Sequence, residues 1–132
     1  MRTFEELIED AASHEFTGWD FSFIEDRIVR EGTPWSYAGR VDELAGRAHS
    51  LVDLGTGGGE FLADISPRPP CLVATEGWMP NVPVAAARLR PLGTFVVAYE
   101  GPPDNADQTT DTEERLPFQG EVFDVVINRH EA

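Results

Sequence analysis

Leu51-Val52-Asp53-Leu54-Gly55-Thr56-Gly57-Gly58-Gly59-Glu60 is the stretch on which the reading of this chain turns. A short apolar strand runs straight into a Gly-x-Gly-x-Gly loop, and an acid opens the segment after it. A strand that ends this way and leads into a helix lets backbone N–H groups approach a ligand, because no Cβ stands in the way. The spacing differs from the dinucleotide fingerprint G-x-G-x-x-G. Begun at Gly55, that pattern needs a glycine where Glu60 stands; begun at Gly57, it needs one where Leu62 stands. With Asp53 two residues ahead of it, the loop suits a cationic ligand better than a pyrophosphate. A ligand bearing an ammonium and a sulfonium is attracted where a nicotinamide dinucleotide is repelled.

Outward from the loop, Glu60–Ile65 reads as a helix that Pro67 stops, and Cys71–Glu76 as a second strand. Pro80–Arg90 is a further helix, favoured by Ala85–Ala87 and Leu89, and Thr94–Tyr99 a third strand. Residues 100–115 form a polar loop with six carboxylates before its first Arg, and Val122–Asn128 is a fourth strand. Strands separated by helices of about ten residues predict β-α-β units and a parallel sheet. Their continuous apolar runs fit strands covered on both faces. Upstream, Thr3 and Glu6 have capping-box spacing for a helix over residues 3–12, with Phe4, Leu7, Ile8 and Ala11 on one face. A second helix is expected over Asp20–Arg30 and a third over Ser36–Ala48, separated by Thr33-Pro34-Trp35. The third turns Tyr37, Val41, Leu44, Ala45 and Ala48 inward. The expected division is an N-terminal helical segment, 1–48, on the lid or substrate side, followed by an α/β binding domain, 49–132.

Composition narrows the function. The 132 residues hold 24 Asp+Glu against 10 Lys+Arg, for a formal net charge of -14, and every basic residue is Arg. Without Lys, neither a Walker-type phosphate loop nor a pyridoxal-phosphate Schiff base can form. The charge disfavours a nucleic-acid backbone and an anionic membrane surface. One Cys, Cys71, forms no internal disulfide and reads as a small apolar filler in its strand. No run approaches the eighteen or so apolar residues of a membrane span, and Met1-Arg2-Thr3-Phe4-Glu5-Glu6 has no signal core, so a soluble cytoplasmic protein is expected. His14 and His49 have no partners in the sequence and no assigned role.

The Leu51–Glu60 stretch resembles motif I of the class I S-adenosylmethionine-dependent methyltransferases. The resemblance extends to Glu76 at the end of the second strand, and to Leu116-Pro117-Phe118 followed by Phe123-Asp124-Val125-Val126-Ile127-Asn128. It covers roughly residues 36–132 and implies a Rossmann-like methyltransferase fold, three-layered around a central parallel sheet, with helices ahead of it. It implies S-adenosyl-L-methionine as cofactor and a small-molecule methyl acceptor. Gly55, Gly57 and Gly59 then line the methionine part, with Thr56 and Glu60 of the same motif beside them. Asp53 takes the ammonium directly or through water, and Glu76 accepts from both ribose hydroxyls. An acid before Leu-Pro-Phe sits near the adenine amino group in relatives; here Asp111 and Glu113 both remain open. Asn128, Arg129 and His130 follow strand four, where relatives place cofactor and substrate contacts. Where the acceptor must first lose a proton, His130 is the general base by chemistry and location, with a surface role as its rival. Trp19, Trp35 and Tyr37 are open to two uses: an aromatic lid over the sulfonium, or packing of the N-terminal helices.

The complete fold implied by the resemblance has seven strands ordered 3-2-1-4-5-7-6, with the ligand by the switch between strands one and four. This sequence is therefore expected to be truncated after strand four, a fragment or a chain completed by a partner or a second copy. Strand four would leave an apolar edge for a homodimer or partner to cover. The rival readings are a non-catalytic S-adenosylmethionine-binding module and a nicotinamide-dependent oxidoreductase.

Overall fold

Val, Leu and Ile crowd the segments that become the sheet. In a computed structural model of the chain, which describes residues 1–15, 22–29, 31–99 and 116–129, β1 (Ser50–Leu54), β2 (Cys71–Glu76), β3 (Phe95–Ala98) and β4 (Val125–Asn128) form one sheet. Its order is β3-β2-β1-β4 and all neighbours are parallel. The expected α/β class and parallel sheet are thus present. Thr94, Tyr99 and Val122–Asp124 fall outside the strands, which are shorter than their apolar runs. The chain runs outward from β1 to β3 and then returns to the other side of β1, so the order reverses between β1 and β4.

Register decides which side chains meet the helices. Leu51 pairs with Leu72 and Val125, Asp53 with Ala74 and Ile127, and Ala74 with Val96, so these residues share one face. Helices α2 (Tyr37–Ala45), α3 (Glu60–Asp64) and α4 (Val82–Leu89) bury Val41, Ala45, Leu62, Ala85 and Leu89 against it. The opposite face carries Val52, Val73, Phe95 and Val126. Leu116–Phe123 lies along part of that face, lining a groove with Val52 and Val126, and Phe118 meets Phe123 edge-on with ring centroids 5.0 Å apart.

Short polar contacts fix the ends of these elements. Asp124, just before β4, accepts from the His49 and Ser50 amides at 2.8 and 2.9 Å, which joins the start of β4 to the start of β1. Those amides hold its carboxyl below the ordinary carboxylate range. Arg68 donates to the Leu62 and Ala63 carbonyls at the end of α3 and to Thr94 Oγ1, tying α3 to the entry of β3. Ser36 caps α2 by accepting from the Gly39 amide, so that helix begins at Tyr37.

At the N-terminus α1 (Phe4–Ala12) has the expected capping box between Thr3 and Glu6. Its apolar face is not buried: Phe4, Leu7 and Ile8 are all exposed. The α-helix expected over Asp20–Arg30 is, in its described part, a 3-10 helix over Ser22–Arg27 with no buried residue. A short helix without a face against the core has little to hold its α form. Trp19 lies outside the described residues; Trp35 is exposed, while Tyr37 packs on Phe61 with ring centroids 5.4 Å apart. Among the described residues no helix is long and apolar enough to cross a membrane.

Candidate functional site

Where β1 ends, the chain has to turn sharply back over the sheet, and three glycines make the turn. Gly55, Gly57 and Gly59 have φ of 68°, 63° and 79°, a region that costs other residues energy. Gly59 carries a second constraint, because a Cβ there would stand 2.8 Å from the fully buried Leu89 side chain. This close approach lets α3 start directly on the loop and pack beside α4.

The loop is braced from β2. Gly55 N–H donates to Thr75 Oγ1 at 3.2 Å, Thr56 N–H to the Thr75 carbonyl at 2.8 Å, and Gly57 N–H to Glu76 Oε2 at 2.6 Å. Gly59 N–H donates to the Thr56 carbonyl at 3.1 Å. Glu76 Oε1 accepts from Trp78 N–H at 2.7 Å. Glu76 thus lies buried beneath the loop with each carboxylate oxygen bound to a backbone amide. From the other side Arg88 donates to the Gly58 carbonyl and to Glu60. The amides of Gly55, Thr56, Gly57 and Gly59 are committed within the fold, so they do not form the outward-facing nest that grips a pyrophosphate.

Beside the loop, at the C-terminal ends of β1 and β4, is a cavity of about 280 Å³ lined by Asp53, Gly55, Thr56, Glu60, Phe61, Asp64 and Arg129. It lies where the strand order reverses, the position at which open α/β sheets bind ligands. Burial pushes the Asp53 carboxyl up to about 6; Glu76 adds to the rise, while the nearby Thr56 hydroxyl and the Arg129 guanidinium oppose it. Thr56 Oγ1 and the Tyr37 hydroxyl are buried without a partner at hydrogen-bond distance. Burial raises the Tyr37 hydroxyl pKa, the Asp53 charge raises it further, and Arg129 lowers it. Arg129 lies over the Phe61 ring, 5.1 Å from its centroid.

Of the residues singled out in the sequence, Asp53, Gly55, Thr56, Glu60 and Arg129 come together in this cavity. Gly57 and Gly59 shape the loop and Glu76 supports it from below. Asn128 ends β4 in register with Leu54, which assigns its side chain to the face opposite Asp53. Asp111, Glu113 and His130 lie outside the described residues. The sequence pattern by itself assigns no role to Phe61, Asp64 or Arg88. Phe61 and Asp64 were accessible to it, standing one and four places after Glu60 on the helix that opens from the loop. Arg88 was not, because nothing in the sequence pairs it with a loop thirty residues away. Among the described residues, no group of three or more His, Cys, Asp or Glu is placed to hold a metal ion. Comparison with models of known protein families, with curated proteins and with solved structures finds no match.

Proposed function

We propose that this chain is an S-adenosylmethionine-binding domain of Rossmann-like, class I methyltransferase type, which transfers the methyl group to a small-molecule acceptor. The observation that carries the reading is the pairing of a braced glycine loop with a cavity lined by Asp53, Glu60 and Asp64 beside Arg129, Glu60 being also paired with Arg88. Such a cavity favours a ligand of net positive charge, and the committed loop amides disfavour a pyrophosphate. The donor and acceptor set fits the cofactor. Asp53 takes the ammonium, and the hydroxyls of Thr56 and Tyr37 are buried polar groups that a ligand can satisfy. Phe61, which Tyr37 packs against, is the aromatic side chain that lines the cavity where a sulfonium would lie. Glu76, at the end of β2, is where the resemblance puts the ribose diol, and its two oxygens accept from the Gly57 and Trp78 amides.

The bound cofactor supplies an electrophilic methyl group; the protein's part is to hold donor and acceptor in line. His130 is the proposed base for an acceptor that must lose a proton. The acidic chain disfavours nucleic acid as acceptor. The exposed Val126 on edge strand β4 is the place where a second copy or a partner would pair. The size of the cavity favours a second reading, a binding module without its own acceptor site, since about 280 Å³ is at the small end for a ligand pocket. Calorimetric titration with S-adenosylhomocysteine tests binding, with saturable one-site binding expected. A methyl-release assay across small amine, hydroxyl and thiol acceptors then separates enzyme from module; absence of binding removes both.

A further inference from the structure

Two apolar surfaces of this chain are left open, and each has the shape the other needs. The first is a stripe on α1. Phe4, Leu7, Ile8 and Ala11 stand at i, i+3, i+4 and i+7 and share one side of the helix, with Glu5, Glu6, Glu9 and Asp10 on the other. All four apolar residues are exposed. The side used within the chain is the polar one: Asp10 pairs with Arg2 and with Arg27, and His14 stacks on Phe23 with ring centroids 4.6 Å apart. Those contacts hold α1 to Ser22–Arg27 and leave its apolar stripe facing outward.

The second surface is the groove on the sheet face away from α2, α3 and α4. It encloses about 650 Å³ between Val52, Leu116, Phe118, Val122, Phe123 and Val126, and among the described residues that line it Glu121 alone is charged. Leu116, Val122 and Val126 are exposed in its walls. None of the strand residues on this face is an acid or an Arg, in a chain of net charge -14. Parallel sheets carry helices on both faces, and the helices of this core lie on one. An amphipathic helix enters an apolar groove through anchors at i, i+3, i+4 and i+7, the spacing of the α1 stripe. The chain holds its own α1 elsewhere, so the helix that fits this groove comes from a second copy. One helix of nine residues, about 14 Å long, covers too little for a stable interface. Reciprocal exchange makes the contact twice about a two-fold axis. Two chains of net charge -14 repel each other, and this contact joins them with the α1 acids turned away from the groove.

We propose that two copies of the chain exchange α1, each seating Phe4, Leu7, Ile8 and Ala11 in the other's groove between Leu116–Phe123 and Val126. The inference does not rest on the cofactor reading. Sedimentation equilibrium on the whole chain tests it, with Leu7→Glu altering the helix and Val126→Glu the groove. The native chain is expected to dimerise, more tightly at high salt than at low salt because screening weakens the repulsion. Either variant alone places a charge in both contacts and is expected to raise the dimer dissociation constant at least about a hundredfold. Mixing the two variants pairs an intact helix with an intact groove once, so the mixture should recover at least about tenfold of that loss. Both positions are exposed, and melting by circular dichroism should match the native monomer; if Val126→Glu fails to fold, Leu116→Glu takes its place in the mixture. A native chain that stays monomeric overturns the exchange, as does a dimer that survives Leu7→Glu. A mixture no tighter than its components, or association that weakens with salt, also overturns it. If the native chain is a monomer that Leu7→Glu destabilises, α1 covers its own groove and the exchange falls.

Discussion

Burial at the end of β1 makes the Asp53 carboxyl hold its proton up to about pH 6, and any ligand that needs the carboxylate inherits that value. Affinity for S-adenosylhomocysteine should be flat above about pH 6 and fall about tenfold per pH unit below it; calorimetry from pH 5 to 8 reads this directly, and a flat profile contradicts the role. For stability, the folded chain binds this proton more tightly than the unfolded chain, whose carboxyl has the ordinary value of 3.8. Raising the pH through that window therefore lowers stability, on the order of 2–3 kcal/mol by pH 7. Asp53→Asn should melt above the native chain at pH 7.5 and alongside it at pH 4, while binding the ligand worse; a lower melting temperature at pH 7.5 would sink the argument. Glu76 behaves differently, since both of its oxygens accept backbone N–H groups. In Glu76→Gln one amide nitrogen must face an N–H donor, which costs about 1–3 kcal/mol. Chemical denaturation checks it, and unchanged stability would mean that the loop does not depend on this brace. Asp53 and Glu76 were both legible in the sequence because each ends an apolar run beside the glycines. Their difference was not, because it depends on which carboxylate points into the cavity and which lies under the loop.

At the scale of elements, the glycine loop holds its shape through steric fit as well as hydrogen bonds. Gly59→Ala must keep a left-handed backbone and push a Cβ into Leu89, a side chain with nowhere to go, so a loss of roughly 2 kcal/mol or more is expected. Gly32→Ala meets nothing within 4 Å and should change stability by no more than about 0.5 kcal/mol; equal effects at the two positions would contradict the packing account. Asp124 joins β4 to β1 through amides whose hydrogen bonds hold its pKa low. Its contribution is present above the ordinary carboxylate range and fades as pH falls through the lowered value. Asp124→Ala should therefore lower the melting temperature at pH 7 and have a smaller effect in strong acid. The cores of the strands and the capping box of α1 could be read from local pattern alone. The fate of α1 could not: periodicity marks Phe4, Leu7 and Ile8 as one face, but whether a face is buried depends on what the rest of the chain brings to it. The 3-10 form of Ser22–Arg27 has the same origin.

For the molecule as a whole, the strand order explains why a few residues scattered over the sequence become one site. Asp53, Thr56 and Glu60 follow one another in the chain, whereas Arg129 reaches them only because β4 returns to pair with β1. Parallel pairing could be expected from alternating strands and helices, and Arg129 could be placed after the fourth strand. That it meets Phe61 and the field of Asp53 depends on the tertiary return. The same return puts the cavity, with its three acids, on a chain of net charge -14. Charge and loop chemistry together favour a cationic ligand over a dinucleotide. Equilibrium binding of S-adenosylhomocysteine and of NAD, measured side by side on the native chain at pH 7.5, tests this most directly. The account predicts saturable one-site binding of S-adenosylhomocysteine and none of NAD; NAD bound as tightly as S-adenosylhomocysteine, or neither ligand bound, would contradict it.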